Sequence, residues 1–193
     1  MITMQPSTQP DRPVHRKVYE NPTIGDKAVF LQTSAETGGA YTLLEIELAA
    51  GGGNPLHAHR TYTETFIPVE GELEVQLGKE RKLLRPGETC TVPLRAVHCF
   101  RNPSDKPIRF RVKLVPGNEG FEYSVMIAYG LAKDGLTNRE GMPKNLAYAA
   151  VLLHFFDPEP TGMLRLMMPF LRWKARQARK RGVEQELIDR YCR

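Results

Sequence analysis

Between Ile108 and Val115 the chain alternates without a break. Ile108, Phe110, Val112 and Leu114 are apolar, and Arg109, Arg111 and Lys113 between them are cations. Successive side chains of a strand point to opposite faces, so this period fits a strand with one buried and one solvated face. The same alternation runs through YTLLEIELA (41–49) and ELEVQLG (72–78). It sets Leu44, Ile46 and Leu48, then Leu73, Val75 and Leu77, on single faces. AVFLQT (28–33), ETFIPVEG (64–71) and TCTVP (89–93) read as further strands, with turn signals at AGGGNP, EGE, RPGE and NPSDKP between them. Many short strands so spaced predict an antiparallel sandwich or barrel rather than a βαβ sheet.

After Pro116 the period changes. FEYSVMIAYGLAKDG (121–135), NLAYAAVLLHFFD (145–157) and a basic stretch from Pro169 onward read as helices. Asn145 is placed to cap the second, and Pro169 suits the start of the third. The expected organisation is a flexible arm over residues 1–20, a β-barrel over 21–116 and a helical extension over 117–193. A chain of 193 residues with 41% hydrophobic and 25% charged residues can bury a core without staples. Cys90, Cys99 and Cys192 are too few and too scattered for a disulfide framework. No apolar leader and no membrane-length apolar run is present, so a cytoplasmic location is expected.

The chemistry-bearing residues sit in the β region. His57 and His59 share a strand face, Glu64 follows five positions later, and His98 supplies a third imidazole. Gly51 and Gly71 flank the first group; Gly87, Pro93 and Asn102 frame His98. Three imidazoles and a carboxylate form a borderline ligand set suited to Fe, Mn, Ni, Co, Cu or Zn. A GxSxG elbow, a P-loop and a dinucleotide fingerprint are all missing, which sets aside hydrolase, NTPase and Rossmann readings.

GGGNPLHAHRTYTETFIPVEG resembles the first cupin motif, G(x)5HxH(x)4E(x)6G, at every defining position. GETCTVPLRAVHCFRN resembles the second, G(x)5PxG(x)2H(x)3N, except that Arg95 stands where the pattern has Gly. The resemblance implies a mainly β double-stranded β-helix, or jelly roll, here with a helical C-terminal tail. It implies one divalent transition metal on His57, His59, Glu64 and His98. An octahedral ion with four protein ligands keeps about two open positions for water, dioxygen or a bidentate oxygen substrate. It makes a quercetinase-like dioxygenase, or a related oxidoreductase or isomerase, the natural reading, with Glu64 as ligand and as base. The alternatives are a non-catalytic module that senses or sequesters a small ligand, and a closed metal site that only stabilises the barrel.

Around the ligands, Phe66 and Phe100 run in phase with Glu64 and His98, so they line the pocket or pack the core. Tyr62 sits at the pocket rim or in solvent. A left-handed turn at Arg95 would cost about 1–2 kcal/mol relative to Gly; a relaxed surface turn costs nothing. His15 and His154 are given no role. A homodimer is expected, because open jelly-roll edges need covering and the apolar run LAYAAVLL needs a surface to bury against.

The net charge of +5 is uneven. Residues 163–193 hold nine Lys or Arg against three acids, so that segment carries +6 and the rest of the chain −1. The expectation is that Leu164, Phe170 and Trp173 pack on the barrel or a partner while the cations are solvated. Contact of this basic helix with an anionic membrane surface is the competing reading. Nucleic acid ranks last and is not expected as a partner, because no reading element accompanies the charge.

Overall fold

The computed structural model describes residues 16–156, 158–159 and 162–193, with the backbone alone at 162–165. Nine strands come first: β1 (Val18–Asn21), β2 (Asp26–Gln32), β3 (Thr42–Leu48), β4 (Thr63–Glu70), β5 (Leu73–Leu77), β6 (Glu80–Leu84), β7 (Cys90–Val92), β8 (His98–Arg101) and β9 (Ile108–Val115). Four helices follow: α1 (Glu119–Lys133), α2 (Leu146–Phe156), α3 (Gly162–Lys180) and α4 (Val183–Tyr191). The strands form a six-stranded sheet in the order β1-β2-β3-β9-β4-β7 and a three-stranded sheet in the order β6-β5-β8. All pairings are antiparallel.

Alternation in the sequence becomes burial in the barrel. Ile108, Phe110, Val112 and Leu114 are buried, as are Leu44, Ile46 and Leu48 opposite them. The outward faces of the same strands carry charge: Arg111 donates to Glu45, and Arg109 donates to Glu45 and Glu70. Phe66, Phe100 and Phe110 meet between the sheets with ring centroids 5.2–6.2 Å apart. Strand β1 begins inside the stretch read as an arm, and β6 and β8 were not marked by any apolar pattern. Each pairs at an edge of its sheet, where a strand needs only one covered face. Residues 1–15, including His15, lie outside the described residues.

Helix α1 joins the two halves. Asn118 caps it, its Oδ1 accepting from the Phe121 amide at 2.7 Å. Phe121, Val125 and Met126 pack into the barrel core, while Ile127 and Leu131 enter a second core with Val151, Leu152, Ala178, Leu187 and Tyr191. Two polar contacts reinforce the seam. Glu122 Oε1 accepts from the Ser34 amide and the Thr42 hydroxyl, both at 2.5 Å. The Tyr129 hydroxyl donates to Asp26 Oδ2 at 2.6 Å.

Three expectations for the extension change. Asn145 does cap α2, accepting from the Ala147 amide at 2.8 Å, but much of LAYAAVLL is covered by the chain itself: Ala150 is buried and Val151 and Leu152 lie in the second core, while Leu146 stays exposed. The buried part of that run needs no partner to cover it. Pro169 lies inside α3, not at its start, because the helix begins at Gly162. Proline lacks one donor and sits here on an exposed face, where the freed carbonyl can meet water. Phe170 and Trp173 are exposed within the chain, not buried; the Leu164 side chain lies outside the described residues.

Candidate metal centre

Two local features bring the four site residues together. His57 and His98 form an isolated antiparallel bridge, their backbones exchanging hydrogen bonds of 2.9 and 2.8 Å. Both rings then face the barrel interior, with centroids 4.3 Å apart. His59, two residues on, shares that side, and Glu64 rises from β4 in the facing sheet. Metal-binding atoms of His57, His59, Glu64 and His98 all lie within 4.8 Å of one another. His59, Glu64 and His98 are buried and His57 half-buried.

The outer ring nitrogens explain why the inner ones converge. Nδ1 of His57 lies 2.9 Å from the Pro55 carbonyl and Nδ1 of His98 lies 2.9 Å from the Ala96 carbonyl. Nδ1 of His59 is 2.7 Å from the Tyr62 hydroxyl. Such partners fix the tautomer and aim Nε2 inward, the arrangement that metal-ligating histidines generally show. Nε2 of His59 is buried with no hydrogen-bond partner among the described residues. An orphaned buried nitrogen costs stability unless something binds it. His98 presents the complementary puzzle: Nε2 is 2.8 Å from Glu64 Oε2 while Nδ1 faces a carbonyl. A neutral imidazole has one N–H and cannot satisfy both acceptors. Either the ring is protonated or a cation replaces the Nε2 proton. The residues present therefore fit a bound metal ion.

The titration directions follow the same geometry. Burial, with the neighbouring His98 and His59, lowers His57 to about 4. Burial alone would raise Glu64, but the imidazoles of His59 and His98 outweigh it and hold the carboxyl at about 2. Burial pulls His98 down, and the Glu64 carboxylate more than offsets that, leaving it above the ordinary imidazole value.

Tyr62 is buried, at 2% exposed, not solvated at a rim, and its hydroxyl meets His59. Phe66 is buried behind His98, with ring centroids 6.1 Å apart, and Phe100 packs on Phe66 and Phe110 as part of the core. Arg95 adopts φ 63°, so the turn is left-handed although Arg occupies it. Its amide donates to the His59 carbonyl at 2.7 Å, which fixes the backbone beside the cluster. His154 is exposed and lies 2.6 Å from Arg179 Nη2 on the helical extension. Scaffold residues of both motifs behave as turn formers. A Cβ on Gly71, at φ 79°, would sit 2.4 Å from Ile108 Cγ2. The buried Asn102 side-chain amide donates to the Leu48, Ala49 and Lys106 carbonyls.

One contributor had no signature in the sequence. After α2 the chain returns to the barrel, where Pro158 bridges His59 and the Glu159 amide donates to the Ala58 carbonyl at 2.9 Å. Glu159 Oε2 lies 4.0 Å from Arg95 Nε. The extension thus lays a strap beside the site.

Residues 44–115 match the Cupin domain family. Over that stretch, which is less than half of the chain, the barrel resembles a cupin domain. The chain is also similar to part of mannose-1-phosphate guanylyltransferase from Escherichia coli, 30% identical over 95 residues, covering 49% of this chain and 18% of that protein. Quercetin 2,3-dioxygenase from Bacillus subtilis is 34% identical over 87 residues, 44% of this chain and 26% of that protein. The chain therefore spans only a minor part of these curated relatives. Among solved structures, an RmlC-like cupin from Shewanella frigidimarina is 24% identical, covers 61% of this chain and 99% of its own, and gives a TM-score of 0.49. The cupin motifs account for the cluster; the strap and the helices lie beyond the matched residues.

Proposed function

We propose that this cupin is metal-dependent and acts on a small organic molecule, with His57, His59, Glu64 and His98 holding one divalent transition metal. The observation that carries this reading is the hydrogen-bonded outer ring: all three Nδ1 atoms are engaged, and the inner donors converge with one nitrogen orphaned. A divalent ion there would supply Lewis acidity toward an oxygen-bearing ligand and, for a redox-active ion, electrons toward dioxygen.

Oxygen insertion of the quercetinase type is the leading reaction, supported by the likeness to the Bacillus subtilis dioxygenase; isomerisation is second. Tyr62 orients His59, and Phe66 with Phe100 keeps the floor of the site apolar. Glu64 is a weak base while His59 and His98 together hold it near 2. Moving off His98 removes that hydrogen bond and raises its basicity, which suits a proton acceptor for an enol or acid hydroxyl. The strap beside His59 supports a second reading, a non-catalytic module that encloses a small ligand.

Metal analysis of protein purified without chelator, followed by oxygen uptake with a flavonol, tests both. About one ion per chain is expected. A His57→Ala or His98→Ala protein with full occupancy would overturn the ligand assignment. Oxygen uptake selects the dioxygenase, and ligand binding without turnover selects the binding module.

A further inference from the structure

Helix α3 carries two apolar stripes and the fold covers only one. Met168, Leu171, Ala175 and Ala178 are buried against the rest of the extension. Leu166, Met167, Phe170 and Trp173 are 75%, 47%, 47% and 45% exposed. At 3.6 residues per turn these four fall within an arc of about 120°, turned away from the buried stripe. The Phe170 and Trp173 rings lie 5.9 Å apart, with Lys174 Nζ 5.7 and 5.2 Å from them. Beyond Trp173 the surface is cationic. Arg172, Arg176 and Lys180 share an arc of roughly 80° next to the indole, and Arg181 follows the helix.

No acid occurs between Glu159 and Glu184 in the sequence. Among the described residues only Arg179 of these cations has an ion pair, with Glu184 at 3.0 Å. Arg172, Lys174, Arg176, Lys180 and Arg181 are therefore uncompensated beside an exposed apolar arc.

We infer that α3 is a docking surface for an anionic lipid bilayer, lying in the interface plane with Leu166, Met167, Phe170 and Trp173 inserted. The charge decides the occupant. A second copy seated parallel on this arc would set the two basic runs against each other, and one seated antiparallel would offer them no acid, because α3 contains none. A nucleic acid would neutralise the cations and leave the apolar arc in water. An anionic bilayer satisfies both, with acyl chains under the apolar residues, headgroup phosphates around the cations and the indole at the boundary. No described helix is long and apolar enough to cross a membrane, so the contact is peripheral.

Trp173 is the only tryptophan in the chain, so its emission reports on this helix alone. The full-length protein is titrated with phosphatidylcholine vesicles, with and without roughly one third phosphatidylglycerol. A blue shift and co-sedimentation are expected with the anionic vesicles only, and both should weaken in high salt. Replacing Arg172, Arg176, Lys180 and Arg181 by Gln should lower partitioning roughly a hundredfold or more. Phe170→Ser with Leu166→Ser should abolish the shift while leaving the metal content of the barrel unchanged. Absence of a shift with anionic vesicles overturns the inference. So does a lipid-free blue shift that grows with protein concentration alongside a sedimenting dimer, or a shift produced by duplex DNA and not by vesicles.

Discussion

The barrel and the helical extension use apolar residues in different ways. In β9 every apolar position of the alternation is buried, and the intervening Arg109 and Arg111 are matched by Glu45 and Glu70 across the sheet. In α3 the apolar residues outnumber what the neighbouring helices can cover, and its cations have almost no acids to match. A strand in either of two facing sheets has one inner face, so pattern and burial coincide. A helix has a continuous circumference, so an apolar residue faces the core only where a neighbour happens to pack.

The same deletion made in each region gives the largest contrast. Phe110→Ala, at a fully buried ring between the sheets, should cost about 3–5 kcal/mol. Phe170→Ala should stay within about 0.5 kcal/mol, because that ring is already half in solvent. Chemical denaturation of the two proteins checks this; equal losses would mean that α3 is covered in the native assembly.

The candidate metal centre should break nearly as sharply. In metal-free protein His98→Ala leaves the buried Glu64 carboxylate without its nearest partner, and a loss of about 3–5 kcal/mol at neutral pH is expected. Metal affinity in the unaltered protein should begin to weaken above about 6.5 as pH falls, because His98 must be neutral to bind and Glu64 raises its value. His98, held above its ordinary value by Glu64, should take up its proton well before His57, which burial lowers to about 4. Isothermal titration across pH, with proton release measured in two buffers, provides the check.

Asp26 probes the seam between the regions. Burial raises its carboxyl from 3.8 to about 6, against the hydrogen bond from Tyr129. The folded chain therefore holds this proton more tightly than the unfolded one. Stability from this group falls as pH rises from about 4 to 6, and a constant penalty remains above that. Asp26→Asn should accordingly gain roughly 1–3 kcal/mol at pH 7 to 8 and nothing below pH 4. A gain that is the same at every pH would point to packing instead of charge. A smaller effect than at Asp26 is expected at Arg95. Its left-handed φ favours glycine, so Arg95→Gly should stabilise by about 1 kcal/mol, less whatever the exposed pair with Glu159 contributes.

Local periodicity by itself determined the inner face of the barrel, from Leu44 to Leu114, because a strand's two faces are set by residue parity. Spacing within and between two short segments was enough to single out His57, His59, Glu64 and His98, since a two-residue step keeps two imidazoles on one side. Other features depended on which distant segments meet. Parity and spacing carry no information about the Tyr62 hydroxyl reaching His59, the return of Pro158 and Glu159 to the site, or the wedge of α1 between two cores. Nor could the sequence decide which stripe of α3 is covered. Both stripes have helical spacing, and only the packing of α2 and α4 against one side leaves Leu166, Phe170 and Trp173 facing outward.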